Sequence, residues 1–403
     1  MINRILFEQI KLAATNSPII GIVGPRQSGK TTLAKAVFPK YTYINLEQPD
    51  IRAYAQNDPR AFLNQYGDKV ILDEIQRVPE LFSYLQVKVD NDKKMGQYIL
   101  TGSQHFLMLQ SITQSLAGRI SIFSLYPLSY EELQDAKEQK KDLYTQIWYG
   151  GYPRLYEQDI SPVIWLNNYI QTYIDRDVSL ISQITNLKTF EIFLHVIAGR
   201  TGQLLNLSTL GNELGVTHNT IKSWVNLLET SGVIYLLQPY HSNITKRLIK
   251  APKLYFTDTG LVCRLLGIEN PSQLNTHPLY GSIFETHVVM EYIKFYLNRG
   301  LSPNIYFWRD KTGLEADIYK RIPGSKVDMF EIKSTQTIPE SAFASLKQIQ
   351  ETNKDKTELN VIYGGDENQS RSAGQIISWS SLPKFLSLMD FSPKQLGQHA
   401  KNP

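Results

Sequence analysis

The sequence predicts a multidomain α/β protein, and three observations support this fold class. The chain has 403 residues, which is more than one ordinary domain needs. Its first third alternates short apolar runs with helical patterns, as a parallel sheet with crossover helices does. The middle is mainly helical, and the last third combines one long helical pattern with further strand patterns. We therefore expect two to four domains.

Composition excludes several classes of protein. Hydrophobic residues make up 42% of the chain and charged residues 20%, which suits a soluble globular protein. The net charge of +4 is small, so any nucleic-acid surface must be a local patch. The single cysteine, Cys263, excludes an internal disulfide and a zinc site built from cysteines. No uncharged apolar run approaches the ~20 residues of a membrane helix, and Glu8 and Lys11 interrupt any signal-peptide core. We expect a cytoplasmic protein without a membrane partner.

Five apolar runs in the first third are predicted strands, each bounded by Gly, Pro, Asp or Ser. Most are apolar throughout, which is typical of strands covered on both faces. The charged stretch Glu131–Asp142 that follows is predicted to be a solvated helix or a linker. The predicted strands are Ile19–Val23, Tyr43–Leu46, Val70–Leu72, Tyr98–Leu100 and Ile120–Leu125.

A glycine-rich segment lies directly after the first predicted strand and before a helical run. It fits the spacing G-x-x-x-x-G-K-[ST] of a phosphate-binding loop (P-loop). Glycines allow backbone N–H groups to surround phosphates, and the following helix presents its positive end to them. We predict that Lys30 contacts the β- and γ-phosphates of ATP and that Thr31 binds Mg²⁺. The predicted nucleotide-binding residues here are Gly24, Pro25, Arg26, Gln27, Ser28, Gly29, Lys30, Thr31 and Thr32.

The predicted strand Val70–Leu72 ends in two acids, Asp73 and Glu74. Asp73 is expected to hold Mg²⁺ through water, and Glu74 to polarise the attacking water as a general base. The paired acids favour ATP hydrolysis over the chemistry of a small-metabolite kinase, which stays open as an alternative. The plainer alternative is a glycine-rich turn followed by an unrelated acidic strand end.

Three further residues are candidates for sensing the nucleotide. Thr101 and Ser103 end a strand pattern, where either hydroxyl could contact the γ-phosphate. An ordinary strand-to-turn transition explains them equally well. Arg119 is a candidate arginine finger or nucleotide sensor, acting on its own chain or on a neighbouring copy. The alternative for Arg119 is a solvated surface arginine.

The segment Leu204–Phe256 contains two helical patterns followed by two strand patterns. The predicted helices, Ser208–Leu214 and His218–Thr230, are joined by a tight turn and bury one face. The predicted strands are Gly232–Leu237 and Lys253–Phe256, and the loop between them is basic. This order predicts a winged helix that contacts DNA, with a protein–protein module as the alternative. The predicted DNA-binding residues are Asn219, Lys222, Lys246, Arg247, Lys250 and Lys253.

One strand pattern near the C-terminus carries an acid and a lysine on one face. Glu331 and Lys333 are two residues apart, so they share a face of the strand. A loop over 322–326 would place Asp317 opposite Glu331, and Glu285 in a preceding helix could add a carboxylate. Carboxylates and an amine so arranged can hold Mg²⁺, position a water and stabilise a scissile phosphate. The alternative is an exposed salt bridge between Lys333 and the two acids.

Several segments resemble the AAA-type ATPases of bacteria and archaea that carry a C-terminal domain of formerly unknown function. In the first third these are GPRQSGKTTL, VILDEIQ, YILTGSQ and SLAGRI, and later TYIDRDV, ITKRLIKAPKLYFTDTGL, LEADIYK and FEIKS. The resemblance implies an additional-strand ATPase core, a winged helix and a restriction-nuclease-like domain. The C-terminal part is also similar to the PD-(D/E)xK nuclease superfamily, with Asp317, Glu331 and Lys333 at its three motif positions. The proline usually found beside the first acid is absent, since Glu315-Ala316-Asp317 stands there.

These expectations divide the chain into six segments. Residues 1–130 form an AAA-type P-loop ATPase domain, 131–199 a helical lid or linker, and 200–257 the winged helix. Residues 258–280 form a linker, 281–391 the nuclease-like domain, and 392–403 a tail. The predicted function is Mg²⁺-dependent ATP hydrolysis that controls DNA binding and a candidate metal-dependent nuclease, with a homo-oligomer as a further option. The alternative is a slow nucleotide-dependent switch or scaffold with a protein partner and an inactive nuclease-like domain.

Overall fold

Three β-sheets organise the part of the chain that the computed structural model describes, namely residues 2–102, 116–173, 187–241, 251–322, 326–352 and 355–390. The sheets have five, three and six strands. The predicted α/β fold class is confirmed, with a parallel sheet in the N-terminal region and a separate sheet near the C-terminus. Within the ranges above, no helix is long and apolar enough to cross a membrane.

The N-terminal sheet is parallel throughout, in the strand order β2-β3-β4-β1-β5. Its central strands are buried along their whole length because helices cover both faces. The carboxyl ends of β1 and β3 therefore meet at one edge of the sheet, separated by β4. The strands are β1 (Ile19–Val23), β2 (Thr42–Asn45), β3 (Val70–Asp73), β4 (Tyr98–Gly102) and β5 (Ile120–Ser124). The helices are α1 (Leu6–Ala13), α2 (Lys30–Val37), α3 (Pro49–Asn57), α4 (Pro59–Tyr66) and α5 (Leu81–Asp92).

Helix α6 (Tyr130–Asp135) overlaps the charged stretch that was predicted to be solvated. For Glu132 this prediction is wrong, because its side chain is buried. Ser129 and Glu132 form a capping box at its start. The Glu132 side chain is fully buried and pairs with Arg4 at 2.9 Å. A charged residue is buried here because the N-terminal segment supplies a cation.

The middle region consists of helices and one small antiparallel sheet. Its helices are α7 (Leu143–Tyr149), α8 (Arg154–Glu157), α9 (Pro162–Thr172), α10 (Leu187–Ala198), α11 (Leu207–Leu214), α12 (His218–Thr230) and α13 (Thr259–Leu265). The sheet has the order β6-β8-β7, with β6 (Gln203–Leu204), β7 (Ile234–Leu237) and β8 (Lys253–Phe256). Strand β6 was not predicted, because two residues carry no periodicity. Strand β8 is therefore the central strand of this sheet.

The C-terminal region is a mixed sheet in the order β13-β14-β12-β11-β10-β9, with helix α14 packed against β11. Ile318 lies opposite Phe330, and Ile322 lies opposite Lys326. This register is the one that the predicted 322–326 loop requires. The strands are β9 (Ile305–Arg309), β10 (Glu315–Ile322), β11 (Lys326–Lys333), β12 (Lys356–Tyr363), β13 (Gln369–Arg371) and β14 (Gly374–Ser378). The helices are α14 (Tyr280–Leu297), α15 (Ala344–Thr352) and α16 (Leu382–Asp390).

One hydrophobic core joins the middle region to the C-terminal region. Trp224 of α12, Phe256 of β8 and Phe284 of α14 all belong to it and are at most 4% exposed. Because these elements share a core, β8 is fixed relative to α14.

Candidate nucleotide-binding site and its connections

The loop between β1 and α2 has the tight conformation that its glycines predict. Gly24, Gln27 and Gly29 have φ angles of 149°, 62° and 94°, in the region that favours glycine. A Cβ on Gly24 would overlap the carbonyl oxygen of Leu125. Only glycine therefore fits where the chain leaves β1.

Lys30 and Ser28 have the surroundings expected of phosphate-binding groups. The Lys30 ammonium donates hydrogen bonds to the carbonyl oxygens of Gly24 and Pro25, at 3.0 and 2.7 Å, and is therefore held inside the loop. The buried Ser28 hydroxyl has no hydrogen-bond partner among the described residues. An unsatisfied buried donor at this position fits a phosphate oxygen.

Asp73 at the end of β3 is held by hydroxyl groups from three different elements. Thr31 donates to both Asp73 carboxylate oxygens, at 2.9 and 3.1 Å, and Tyr43 donates to Oδ2 at 2.7 Å. Thr101, at the end of β4, also donates to Asp73. The predicted pair Thr31 and Asp73 is thus in direct contact, with the oxygen donors that Mg²⁺ prefers. Thr101 was predicted to contact the γ-phosphate, but its hydroxyl positions Asp73 in this structure.

Glu74 directly follows Asp73 and turns the chain out of β3. Its φ of 57° is left-handed, an uncommon conformation for a residue other than glycine. The Gln76 amide donates to the Glu74 carboxylate at 2.5 Å. Glu74 is half-buried, and it directly follows Asp73, which contacts Thr31 of the P-loop region.

Arg4 ties the N-terminal segment to the P-loop, a role that the sequence did not indicate. Its guanidinium donates to the carbonyl oxygens of Ser28 and Tyr126, at 2.8 and 2.7 Å, besides pairing with Glu132. Arg4 and Glu132 are 128 positions apart in the sequence, so no local sequence pattern could indicate their contact.

Arg119 cannot sense nucleotide in its own chain, and that prediction is wrong. Its carbonyl oxygen accepts from the N–H of Ile19, the first residue of β1. The P-loop follows the last residue of this five-residue strand, which places Arg119 roughly 16 Å away at ~3.3 Å per residue. The Arg119 side chain pairs with Asp90, at 2.6 and 2.8 Å. Ser103 lies outside the described residues.

Two clefts flank the P-loop. The first, of about 410 Å³, is mainly apolar and includes Ile5, Phe7, Leu33 and Pro153 next to Thr32. The second, of about 300 Å³, carries two cations, the exposed Arg154 and the half-buried Arg26, beside aromatic residues of α9. Arg154 was not among the predicted site residues, because it lies on a short helix far from the P-loop in sequence.

The P-loop also touches the turn between α12 and β7. A Cβ on Gly232, whose φ is 75°, would lie 2.9 Å from Pro25 Cδ. The Gly232 carbonyl oxygen accepts from the Thr257 hydroxyl at 2.7 Å. Thr257 directly follows β8. The P-loop is therefore connected to that strand through Gly232 and its hydrogen bond with Thr257.

A second chain of contacts leads from the P-loop to the same end of β8. Pro153 Cγ lies 3.9 Å from the position of a Cβ on Gly29. Two residues before Pro153, the N–H of Gly151 donates to Asp258 Oδ2 at 2.7 Å. Asp258 also caps α13 by accepting from Leu261 at 3.0 Å. Burial raises the pKa of Asp258 despite the lowering effects of Lys294 and these N–H groups.

The predicted DNA-binding residues have mixed outcomes. Asn219 and Lys222 lie exposed on α12. Lys246, Arg247 and Lys250 lie outside the described residues. Lys253 was predicted to contact DNA from the wing, and this prediction is wrong, because its side chain is only 4% exposed and forms ion pairs inside the protein.

Two of the predicted C-terminal metal ligands, Glu285 and Asp317, form ion pairs with that lysine. Lys253 Nζ lies 2.8 Å from Glu285 and 3.4 Å from Asp317, and it also pairs with Glu315. Lys333 pairs with Glu331 at 2.5 Å. Burial, and then the charge of Asp317, raise the pKa of Glu285 and the pKa of Glu331 to about 7. Across the described ranges, no group of three acidic, histidine or cysteine residues is arranged to hold a metal ion. The predicted metal site is therefore not formed in this structure.

Three models of known families match successive regions of the chain. Residues 16–134 match a family model described as an AAA domain. Residues 140–272 and 280–382 match two models described as domains of unknown function, DUF8612 and DUF4143. Successive parts of the chain are thus similar to an AAA domain and to two domains of unknown function.

Relatives and solved structures of similar sequence or shape come from bacteria and archaea. An uncharacterised protein of Mycobacterium tuberculosis is 29% identical over 94% of this chain and 86% of its own length. An uncharacterised protein of Methanocaldococcus jannaschii is 22% identical, covering 70% of this chain and 69% of its own. A Walker-type ATPase of Pyrococcus abyssi is similar with a TM-score of 0.43 and 11% identity, over 66% of this chain and 96% of that one. The RuvB Holliday junction branch migration motor of Thermotoga maritima gives a TM-score of 0.29 and 18% identity, over 57% and 88%.

Proposed function

We propose that this protein is a Mg²⁺-dependent ATPase whose nucleotide state controls a DNA-binding winged helix. The observation that carries the proposal is the contact of Thr31 with Asp73 at the mouth of the P-loop. The P-loop hydroxyl and the strand-end carboxylate are the two protein groups that hold Mg²⁺ in P-loop ATPases. Their contact fits a bound Mg²⁺–nucleotide complex.

The residues around the P-loop have separable roles in this proposal. Lys30 and Ser28 bind phosphate oxygens, while Thr31 and Asp73 hold the metal ion. Mg²⁺ would neutralise charge on the β- and γ-phosphates. Glu74 accepts the proton of the attacking water as a general base. Glu74 directly follows Asp73, so the end of β3 positions both the general base and the metal ligand.

The two clefts beside the loop would receive the remaining parts of the nucleotide. The apolar cleft lined by Ile5, Phe7 and Leu33 suits a flat base, since bases stack on apolar side chains. The cationic cleft with Arg26 and Arg154 suits the phosphate side. Pro153 lines the first cleft and Arg154 the second, so a nucleotide in either cleft would contact the 150–154 segment.

The contacts of Gly232 and Gly151 would transmit the nucleotide state of the P-loop to the proposed winged helix. Both lead from the P-loop to the end of β8, through Thr257 and Asp258 respectively. A shift of the P-loop on nucleotide binding therefore reaches the sheet that completes the proposed winged helix. The exposed α12 residues Asn219 and Lys222, with the basic residues at positions 246, 247 and 250, would contact DNA.

The C-terminal domain supports two candidate roles. A metal-dependent nuclease would use Glu285, Asp317 and Glu331 as ligands and Lys333 to stabilise the scissile phosphate. The ion pairs of Lys253 favour the other role, an inactive nuclease-like scaffold, because they occupy two of these three carboxylates. A switch of this kind would turn ATP over slowly and act through a protein partner.

ATP turnover by a Glu74→Gln variant tests the ATPase assignment. This variant is expected to bind ATP normally and to hydrolyse it ~10²–10⁴-fold more slowly, because it keeps the side-chain shape but loses the base. Glu80→Gln, at an exposed acid on the same surface segment, is the matched control and should retain wild-type turnover. Equal turnover in the Glu74 variant and wild type would remove Glu74 from the mechanism.

Turnover measured with and without DNA separates the two classes of function. A DNA-engaging ATPase should be stimulated by DNA, since binding at α12 feeds back to the P-loop through the same contacts. A protein-directed switch should show the same slow turnover in both conditions.

A further inference from the structure

Lys253 is the buried centre of an acidic cluster built by three chain segments. It comes from β8, Glu285 from α14, and Glu315 and Asp317 from β10. The lysine side chain is 4% exposed, whereas the three carboxylate side chains are 13–19% exposed. The ammonium therefore lies deeper than the acids that surround it.

Each carboxylate directs one oxygen at the ammonium, and neighbouring donors fix the carboxylates. Asp317 offers Oδ1 to Lys253, while its Oδ2 accepts from the N–H of Ile332 at 2.8 Å. Glu315 offers Oε1, while its Oε2 pairs with Arg309 at 2.8 Å. Glu285 Oε1 accepts from both Lys253 and the Tyr255 hydroxyl, at 2.8 and 2.6 Å. Three hard oxygens thus converge on one point.

Carboxylate oxygens are the donors that divalent cations prefer, but in the described part of this structure the three acids are arranged around the ammonium and not as a metal site. A buried ammonium, in turn, needs such compensation to stay charged. Burial alone would lower the pKa of Lys253, but the charges of Asp317, Glu285 and Glu315 outweigh it and raise that pKa. The three ion pairs therefore favour the charged form of the lysine at this point.

We propose that Lys253 occupies the position of a divalent cation in the C-terminal domain, and so excludes metal while fixing β8 to α14 and β10. The proposal goes beyond ATP hydrolysis and does not depend on it. Lys253 is the first residue of the central strand of its sheet. Because the ammonium is attached to this strand, it is held beside the three acids at a high effective concentration. A free divalent cation at millimolar concentration would have to displace a tethered competitor.

Calorimetric titration with Mn²⁺ in nucleotide-free buffer tests this exclusion. Wild type should show no Mn²⁺ binding that depends on Asp317, so that its isotherm matches that of Asp317→Asn. Lys253→Met should gain one site, and Lys253→Met combined with Asp317→Asn should lose it. Lys320→Met, at a buried lysine of β10 that bonds to Tyr296, is the matched control and should gain no site.

Thermal unfolding gives a second measurement on the same variants. Lys253→Met should melt at a lower temperature than wild type without metal, because carboxylates are left uncompensated. Mn²⁺ should restore its melting temperature and leave that of wild type unchanged. If Lys253→Met does not fold, adding Glu315→Gln restores the charge balance while keeping Glu285 and Asp317, and this double variant takes its place.

Two results would overturn the proposal. Asp317-dependent Mn²⁺ binding by wild type would mean that Lys253 does not exclude the metal. A folded Lys253→Met protein without Mn²⁺ binding would mean that the cluster is an ion-pair network alone. Because no nucleotide is present, neither result bears on the ATPase assignment.

Discussion

Thr31 and Asp73 share a hydrogen bond although they lie 42 positions apart in the chain. The bond joins the first turn of α2 to the end of β3, across a sheet in which β4 lies between β1 and β3. Tyr43 and Thr101 donate to the same carboxylate from β2 and β4. The carboxylate is thus held from three sides, so its position at the mouth of the P-loop is fixed before nucleotide binds.

Asp73→Asn should uncouple nucleotide binding from Mg²⁺. The amide keeps the size of the side chain but removes the negative charge that favours the metal ion. We expect the variant to bind ATP without the increase in affinity that Mg²⁺ gives wild type, and to lose turnover. Fluorescence titration of an ATP analogue with and without Mg²⁺ measures both affinities. An undiminished Mg²⁺ effect in the variant would exclude Asp73 as a ligand.

Lys30→Ala should abolish ATP binding. In the structure the Lys30 ammonium lies inside the loop, bonded to the carbonyl oxygens of Gly24 and Pro25. Its loss removes the fixed cation that P-loops provide for the β- and γ-phosphates. Lys40→Ala, at an exposed lysine beyond the same helix, controls for the loss of a positive charge. Retention of wild-type affinity in Lys30→Ala would contradict the site.

The sequence predicted the parts of the site that depend on strand ends. The P-loop follows β1 and the acids follow β3, and parallel strands bring such ends to one edge. The same rule applies to Arg119, which directly precedes β5. A residue before a parallel strand lies at the edge of the sheet opposite the P-loop, so the prediction for Arg119 was wrong. Arg4 and Lys253 could not be interpreted correctly from the sequence, because the acids with which they pair are more than 30 positions away. Lys253 was assigned to the wing by its basic neighbours, whereas its own strand is buried.

His287 should make stability depend on pH below neutrality. Burial, and then the charge of Lys294, lower the pKa of His287 from 6.5 to about 3. Between these values the unfolded chain binds the proton and the folded one does not, so stability is lost as pH falls through this window. The loss approaches ~1.4 kcal/mol per pH unit at most. His287→Gln should flatten the dependence.

Urea unfolding between pH 6.5 and 4.5 measures the effect of His287. The difference in slope between wild type and the variant isolates this residue from the buried acids, which titrate in both proteins. His218→Gln, at an exposed histidine on α12, controls for the loss of a histidine as such. Parallel pH profiles for wild type and His287→Gln would mean that His287 does not carry the effect.

The salt dependence of DNA binding should reflect three basic residues, all within positions 242–250, rather than four. Lys246, Arg247 and Lys250 are each expected to neutralise one phosphate, whereas the buried Lys253 cannot. Together they contribute a slope of about −2.7 in log affinity against log salt concentration, so raising salt from ~50 to ~200 mM should weaken their contribution about 40-fold. Replacing all three with alanine should remove that slope, and Lys222→Ala should remove a further ~0.9. A fluorescence-anisotropy titration at several salt concentrations gives the slopes, and an unchanged slope in the triple variant would place the DNA surface elsewhere or favour a protein partner.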